Sequence, residues 1–187
     1  MPHGITRTEA LELVTQTLNN ENLVKHCLAT EAVLRKLAVH FGEDPDKWGL
    51  AGLLHDLDAE TQPDLSNHTH ETADILGKKG VDPEIINAIS MHNELAQDRT
   101  RSTRFEHALA AGETITGLVI ATALVYPDKK LASVKTKSVR KRIKEKQFAA
   151  GANREIILEC EKIGIPIEDF CHMALEAMQE IADDLGL

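Results

Sequence analysis

Aromatic residues are scarce: Phe, Trp and Tyr together make up 3% of the 187 residues, with a single Trp and a single Tyr among them. Sheet cores lean on aromatic and β-branched side chains, and no segment alternates apolar with polar residues between hairpin signals, so a β-sandwich or barrel is excluded. Cysteine is as rare. Cys27, Cys160 and Cys171 are an odd set with no CxxC spacing, which speaks against a disulfide framework. No proline-, glycine- or serine-rich stretch looks like a linker. The most apolar run, Ile115 to Val125, is shorter than the roughly 20 residues a bilayer span needs. Met1-Pro2-His3-Gly4 lacks the apolar stretch of a signal peptide. The expectation is a cytoplasmic chain with no membrane partner.

What is present is helical. Ala, Leu, Ile and Glu are plentiful, and 42% hydrophobic content supports one full core with a modest appendage. We expect an all-α bundle in one compact domain over 1–187, with a core region at about 20–126 and C-terminal helices at about 130–187. Apolar residues recur at helical spacing through Ala10, Leu11, Leu13, Val14 and Leu18 after a Thr8 cap. A helix from Glu21 to Phe41 stops at Gly42, and Asp44-Pro45 starts the next, to Leu57, in cap-then-proline order. A polar loop through Pro63, Asp64, Ser66 and Asn67 leads to helices over Thr69–Lys79 and Pro83–Met91. A long helix, Thr103–Leu124, carries Ala108, Ala110, Ala111, Gly112 and Gly117, small residues that let neighbouring backbones approach. Three more helices are predicted over Val134–Ala149, Asn153–Ile163 and Ile167–Leu185.

Nine histidines stand out against this background. His55-Asp56 directly follows the apolar run Leu50–Leu54, so a buried helix delivers an imidazole and a carboxylate to the rim of the core. That pairing suits manganese, iron, cobalt, nickel or zinc, and a carboxylate can bridge two ions. His26 lies among Leu23, Val24 and Leu28; His68 and His70 open a helix; His92 closes another; Glu113 sits mid-helix, where a buried acid needs a partner. Each alone has a bland reading as a core histidine, a dipole-complementing helix end or a solvated acid. Their recurrence across successive helices is harder to explain that way.

The strings His26, Ala51-Gly52-Leu53-Leu54-His55-Asp56, His68 with Ala73-Asp74-Ile75-Leu76, Ala88-Ile89-Ser90-Met91-His92, and Glu113 resemble the HD superfamily of metal-dependent hydrolases. That likeness covers about 20–126. Thr116-Gly117-Leu118-Val119, Ala123-Leu124-Val125 and Ser138–Arg154 extend it toward an uncharacterised HD hydrolase subfamily. The resemblance implies that His26, His55, Asp56 and Glu113 hold a first divalent transition metal, and that Asp56 bridges to a second held by His68 and His92. This chain departs from the family pattern in three places. Glu113 stands where aspartate is usual, Asn93 where many two-metal members have a second histidine, and Asp58 and Ala59 where the HDxGK type has glycine and lysine. One-ion occupancy therefore stays open beside two, and the lysine's role is not carried over.

The expected activity is hydrolysis of a phosphate ester, a nucleotide or other small phosphorylated metabolite, by metal-activated water. Asp58, Glu60 and His70 are candidates for steering water or protons beside Asp56. Arg99, Arg101 and Arg104 are candidates to clamp phosphate. Net charge is −9, yet Lys129 to Lys146 holds nine basic residues and one acid. Lys137 and Arg140 in that segment are a further candidate phosphate contact, or part of a solvated face. Nucleic acid is disfavoured as a partner because the segment has no stacking aromatics, and self-association stays open. Two other classes are compatible with the same residues: a di-iron oxygenase of HD-like fold, and a non-catalytic module that binds a nucleotide.

Overall fold

A computed structural model describes residues 2–62 and 64–187; Met1 and Pro63 lie outside the described residues. No strand occurs among the described residues, and the all-α expectation holds. The helices are α1 (Arg7–Thr17), α2 (Glu21–Phe41), α3 (Pro45–Leu54), α4 (His70–Lys78), α5 (Pro83–His92), α6 (Arg104–Leu124), α7 (Thr136–Ile143), α8 (Arg154–Ile157), α9 (Ile167–Glu180) and α10 (Ala182–Leu185).

Local chemistry fixes most of the boundaries. Thr6, rather than Thr8, caps α1: the Glu9 N–H donates to its hydroxyl, and its own N–H donates to the Glu9 carboxylate. Thr103 and Glu106 repeat this capping box at α6. Gly42 ends α2 in the left-handed conformation, φ 69°, and Asp44 caps α3 ahead of Pro45. Two expected helices are shorter than their apolar pattern. α3 stops at Leu54, and turns through Thr61 come after it. α7 stops at Ile143 because the Arg154 guanidinium takes up carbonyls that a continuing helix would use, among them Glu145 at 3.1 Å and Ala149 at 2.7 Å. The expected 153–163 helix is a single α-turn, α8, followed by a 3-10 segment, Leu158–Ile163.

Close backbone approach positions the site. A Cβ on Gly52 of α3 would meet the backbone of Thr30 and Glu31 in α2 at 2.8 Å, so only glycine permits this contact. Gly112 of α6 faces α2 in the same manner: a Cβ there would lie 2.7 Å from the Leu34 side chain. The three helices α2, α3 and α6 thus bring His26, His55-Asp56 and Glu113 together. Gly117 differs from the sequence expectation: nothing lies within 4 Å of its missing side chain, and it borders an open cavity. α6 is long and apolar enough to cross a membrane by length and composition alone, yet its side chains from Ala108 to Leu118 are largely buried against the other helices. The C-terminal helices share this core through Val139, Ile157, Phe170, Cys171, Ala174 and Met178.

Candidate metal centre

Four imidazoles and two carboxylates converge where α2, α3, α5 and α6 meet. His26 Nε2 lies 3.1 Å from His55 Nε2, 3.7 Å from Asp56 Oδ2 and 3.8 Å from Glu113 Oε2. His68 Nε2 lies 3.1 Å from His92 Nε2 and 3.2 Å from Asp56 Oδ1; His55 and His92 sit 3.5 and 3.6 Å from that same oxygen. The two oxygens of Asp56 therefore face different histidine groups. His26, His55 and Glu113 make one set that could hold a metal ion, and His55, Asp56 and His92 another.

The tautomers follow from the outer partners. His55 Nδ1 donates to the Gly52 carbonyl at 2.8 Å and His92 Nδ1 to the Ile89 carbonyl at 2.7 Å. Thr116 gives its one hydroxyl proton to the Glu113 carbonyl at 2.7 Å, so its oxygen accepts from His26 Nδ1 at 3.0 Å. His68 Nδ1 lies 2.8 Å from Asp58 Oδ1, and neither atom has another partner among the described residues. With the Nδ1 atoms turned to these outer partners, all four Nε2 atoms point into a cluster that holds two carboxylates. Such a donor set fits a divalent transition cation.

The electrostatics agree with the geometry. Burial pushes His55 down to about 3 against the pull of Asp56, keeping it neutral. Burial raises Asp56, but the surrounding imidazoles outweigh it and hold that carboxyl well below the usual range. Burial also works against charge on His68, but the hydrogen bonds to Asp56 and Asp58 dominate and lift it to about 10. A metal ion held by Asp56 and His68 would require the His68 Nε2 proton to leave. Burial raises Glu113 against the opposing pull of His26 and His92.

Asp58 sits behind the cluster and not in front of it. Its carboxylate accepts from the Thr69 N–H at 2.8 Å and the Thr72 N–H at 3.3 Å, and only 1% of the residue is exposed. Thr69 adopts φ 92°, a strained value for a β-branched residue, and it stands between His68 and α4. The Asp58 contacts hold that turn and aim His68. Asp58, expected beside Asp56 as a residue that steers water or protons, is thus placed against His68 and the Thr69 turn and does not line the cavity. Asp58→Asn is expected to weaken metal affinity by about 10- to 100-fold while leaving the fold intact, measured by calorimetric titration.

The other candidates lie elsewhere. His70 points away from the cluster and bonds the Ala96 carbonyl at 2.9 Å. Glu60 accepts from the backbone of Asn19 and Asn20. Arg99 is tied to Glu106 and Asn87, Arg104 lies over the Phe41 ring beside Glu43, and Arg140 pairs with Glu168. None of these, nor Lys137, lines the cavity of about 740 Å³ that opens over His26, Asp56, His68, His92 and Glu113. Arg101 does line it. Its guanidinium grips Glu159 through two bonds of 2.8 and 2.9 Å and donates to the Met91 and His92 carbonyls, closing the C-terminus of α5. Sequence reasoning passed over Thr116, which orients His26 across 90 positions, and Glu159, whose partner lies 58 positions away. No local spacing signals either.

An all-helical bundle with histidines and carboxylates gathered from successive helices defines a class of metal-site proteins. The sequence matches the HD domain over residues 23–125, more than half its length, and the chain belongs to that family, whose members are generally metal-dependent hydrolases. Among curated proteins it is similar to ribonuclease Y of Nitratidesulfovibrio vulgaris, 31% identical over 120 residues that cover 62% of this chain and 22% of that protein. Ribonuclease Y of Opitutus terrae is 29% identical over 82 residues, 43% of this chain and 16% of the relative. The matched region thus spans about a fifth of the length of these relatives. No solved structure gives a significant match.

Proposed function

We propose that this chain is a metal-dependent phosphohydrolase that cleaves the ester of a nucleotide-sized phosphorylated molecule. The reading rests on one observation: His26, His68 and His92 line the floor of a 740 Å³ cavity with Asp56 and Glu113, and the buried His55 completes the cluster with them. His26, His55, Asp56 and Glu113 would hold one divalent ion, and Asp56, His68 and His92 a second. Bound there, the ions supply water made acidic enough to attack near neutral pH and offset charge on the phosphoryl oxygens. Water oxygen bonds to phosphorus, the ester P–O bond breaks, and the proton lost by water ends on the departing alcohol. Asp58 holds His68 in register, and Arg101 holds His92. Membership in the HD family and relatives named as ribonucleases both favour phosphate-ester chemistry.

Protein purified without chelator is expected to carry one or two equivalents of manganese, iron, cobalt, nickel or zinc by elemental analysis, and to release phosphate from phosphate esters. Two irons with oxygen uptake on substrate addition would instead mark a di-iron oxygenase. Failure to take up any of these ions on dialysis would leave a non-catalytic binding module.

A further inference from the structure

We infer that the substrate is a small phosphomonoester whose remainder is apolar and neutral or cationic, and that polyanions, RNA strands included, are poor substrates. This rests on the hydrolase reading above and adds what the cavity wall selects. The cavity floor belongs to the family region, but one wall does not. Gly151, Ala152, Asn153, Glu155, Ile156 and Glu159, beyond the matched 23–125, line the cavity together with the histidines. They leave a pocket of about 740 Å³, within the range of roughly 300–1,000 Å³ that suits one small molecule.

Charge in this pocket runs against a polyanion. The lining holds Asp56, Glu94, Glu113, Glu155 and Glu159, with Arg101 the one lining residue that is permanently cationic. That arginine is buried and bound bidentately to Glu159, with Glu94 3.5 Å from its second nitrogen. Asp56 and Glu113 lie on the floor with the imidazoles, where metal ions would draw the phosphate. Glu94 is engaged by Arg101 through its backbone N–H and its guanidinium, and the exposed Glu155 is the lining acid left to meet whatever the phosphate carries. A strand-binding groove needs cations tracking each phosphate and aromatics for the bases; this pocket has neither. The mouth instead presents Leu95, 73% exposed, and Leu65, 56% exposed, with Ile156 beside them. These side chains offer an apolar moiety a surface to cover.

The test is a charge series on one scaffold. Manganese-loaded protein is given phenyl phosphate, 4-(aminomethyl)phenyl phosphate, 4-carboxyphenyl phosphate and an RNA oligonucleotide, and phosphate or fragment release is measured. The expected order of kcat/KM is aminomethyl at least equal to the parent, and the carboxy compound lower by about fivefold or more, the gap narrowing as salt rises. Glu155→Lys, checked for folding by its thermal melt, should bring the carboxy compound level with or above the aminomethyl one. Equal rates across the series, a preference for the carboxy compound, or faster turnover of RNA would overturn the inference. The matching phenylphosphonates, which cannot be hydrolysed, separate the two levels. If no ester is cleaved yet these bind in the same charge order by calorimetry, the hydrolase reading fails and the pocket's preference stands. If they bind with no charge order, the inference fails whatever the turnover.

Discussion

Replacing Asp56 with alanine is expected to strip the protein of bound metal and to lower kcat/KM for phosphate release by about a thousandfold or more, a loss of about 4 kcal/mol of transition-state stabilisation. The reason is geometric. Asp56 alone sends one oxygen toward His26 and the other toward His55, His68 and His92, at 3.2 to 3.7 Å. An ion held with His68 and His92 would have Asp56 as its one carboxylate, and an ion held by His26, His55 and Glu113 would lose one of its two. Alanine leaves four inward-facing Nε2 atoms with Glu113 as the remaining acid. Asp56→Asn is the sharper control because it keeps the shape and one acceptor oxygen but removes the charge. Elemental analysis should show metal lost in both variants, with circular dichroism still helical. Full phosphate release from Asp56→Ala, or from a His55→Ala, Asp56→Ala double variant, would sink the hydrolase reading.

That His26, His55, Asp56, His92 and Glu113 come together was legible in the sequence because each sits on or at the end of a helix whose apolar residues bury it. The apolar run before His55-Asp56 buries α3, so the pair at its end must emerge at the core's rim. Gly42 and Asp44-Pro45 announce their own boundaries for the same kind of local reason. Illegible were features decided by contacts far along the chain. α7 reads as helical to Ala149, and only the distant Arg154 guanidinium explains why it stops at Ile143. Arginines near His92 look alike in sequence, yet Arg99 is taken by Glu106, Arg104 by Glu43 and the Phe41 ring, and Arg101 alone reaches the cavity. The basic segment around Lys137 and Arg140 carries charge without address. Its helix packs through Val139, and Arg140 pairs with Glu168 away from the centre. Asp58 was visible as an acid two residues past the metal pair, but the turn that swings His68 over its carboxylate was not.

That Arg101 connection gives the second large effect. Arg101→Ala is expected to destabilise the protein by about 3–5 kcal/mol, because it strands the buried Glu159 carboxylate and frees the Met91 and His92 carbonyls together. Glu159→Ala should cost a similar amount, leaving the guanidinium and His107 without their shared acid. An Arg101→Met, Glu159→Leu double variant should recover much of that loss, since a packed apolar pair avoids the cost of an unmatched buried charge. Thermal and urea melts measure all three. Metal affinity separates stability from positioning: the double variant, though stable, no longer ties down the carbonyl of His92 and should bind metal more weakly than wild type. Acid provides an independent check. Burial raises Glu159, but Arg101 and His107 overcome it and hold it at about 2, below its ordinary 4.5. A carboxyl depressed on folding contributes fully above the unfolded value and loses that contribution as protons bind. Wild-type stability from this pair should therefore decline as pH falls from about 4.5 toward 2. That decline should shrink in the double variant, where nothing at this position titrates.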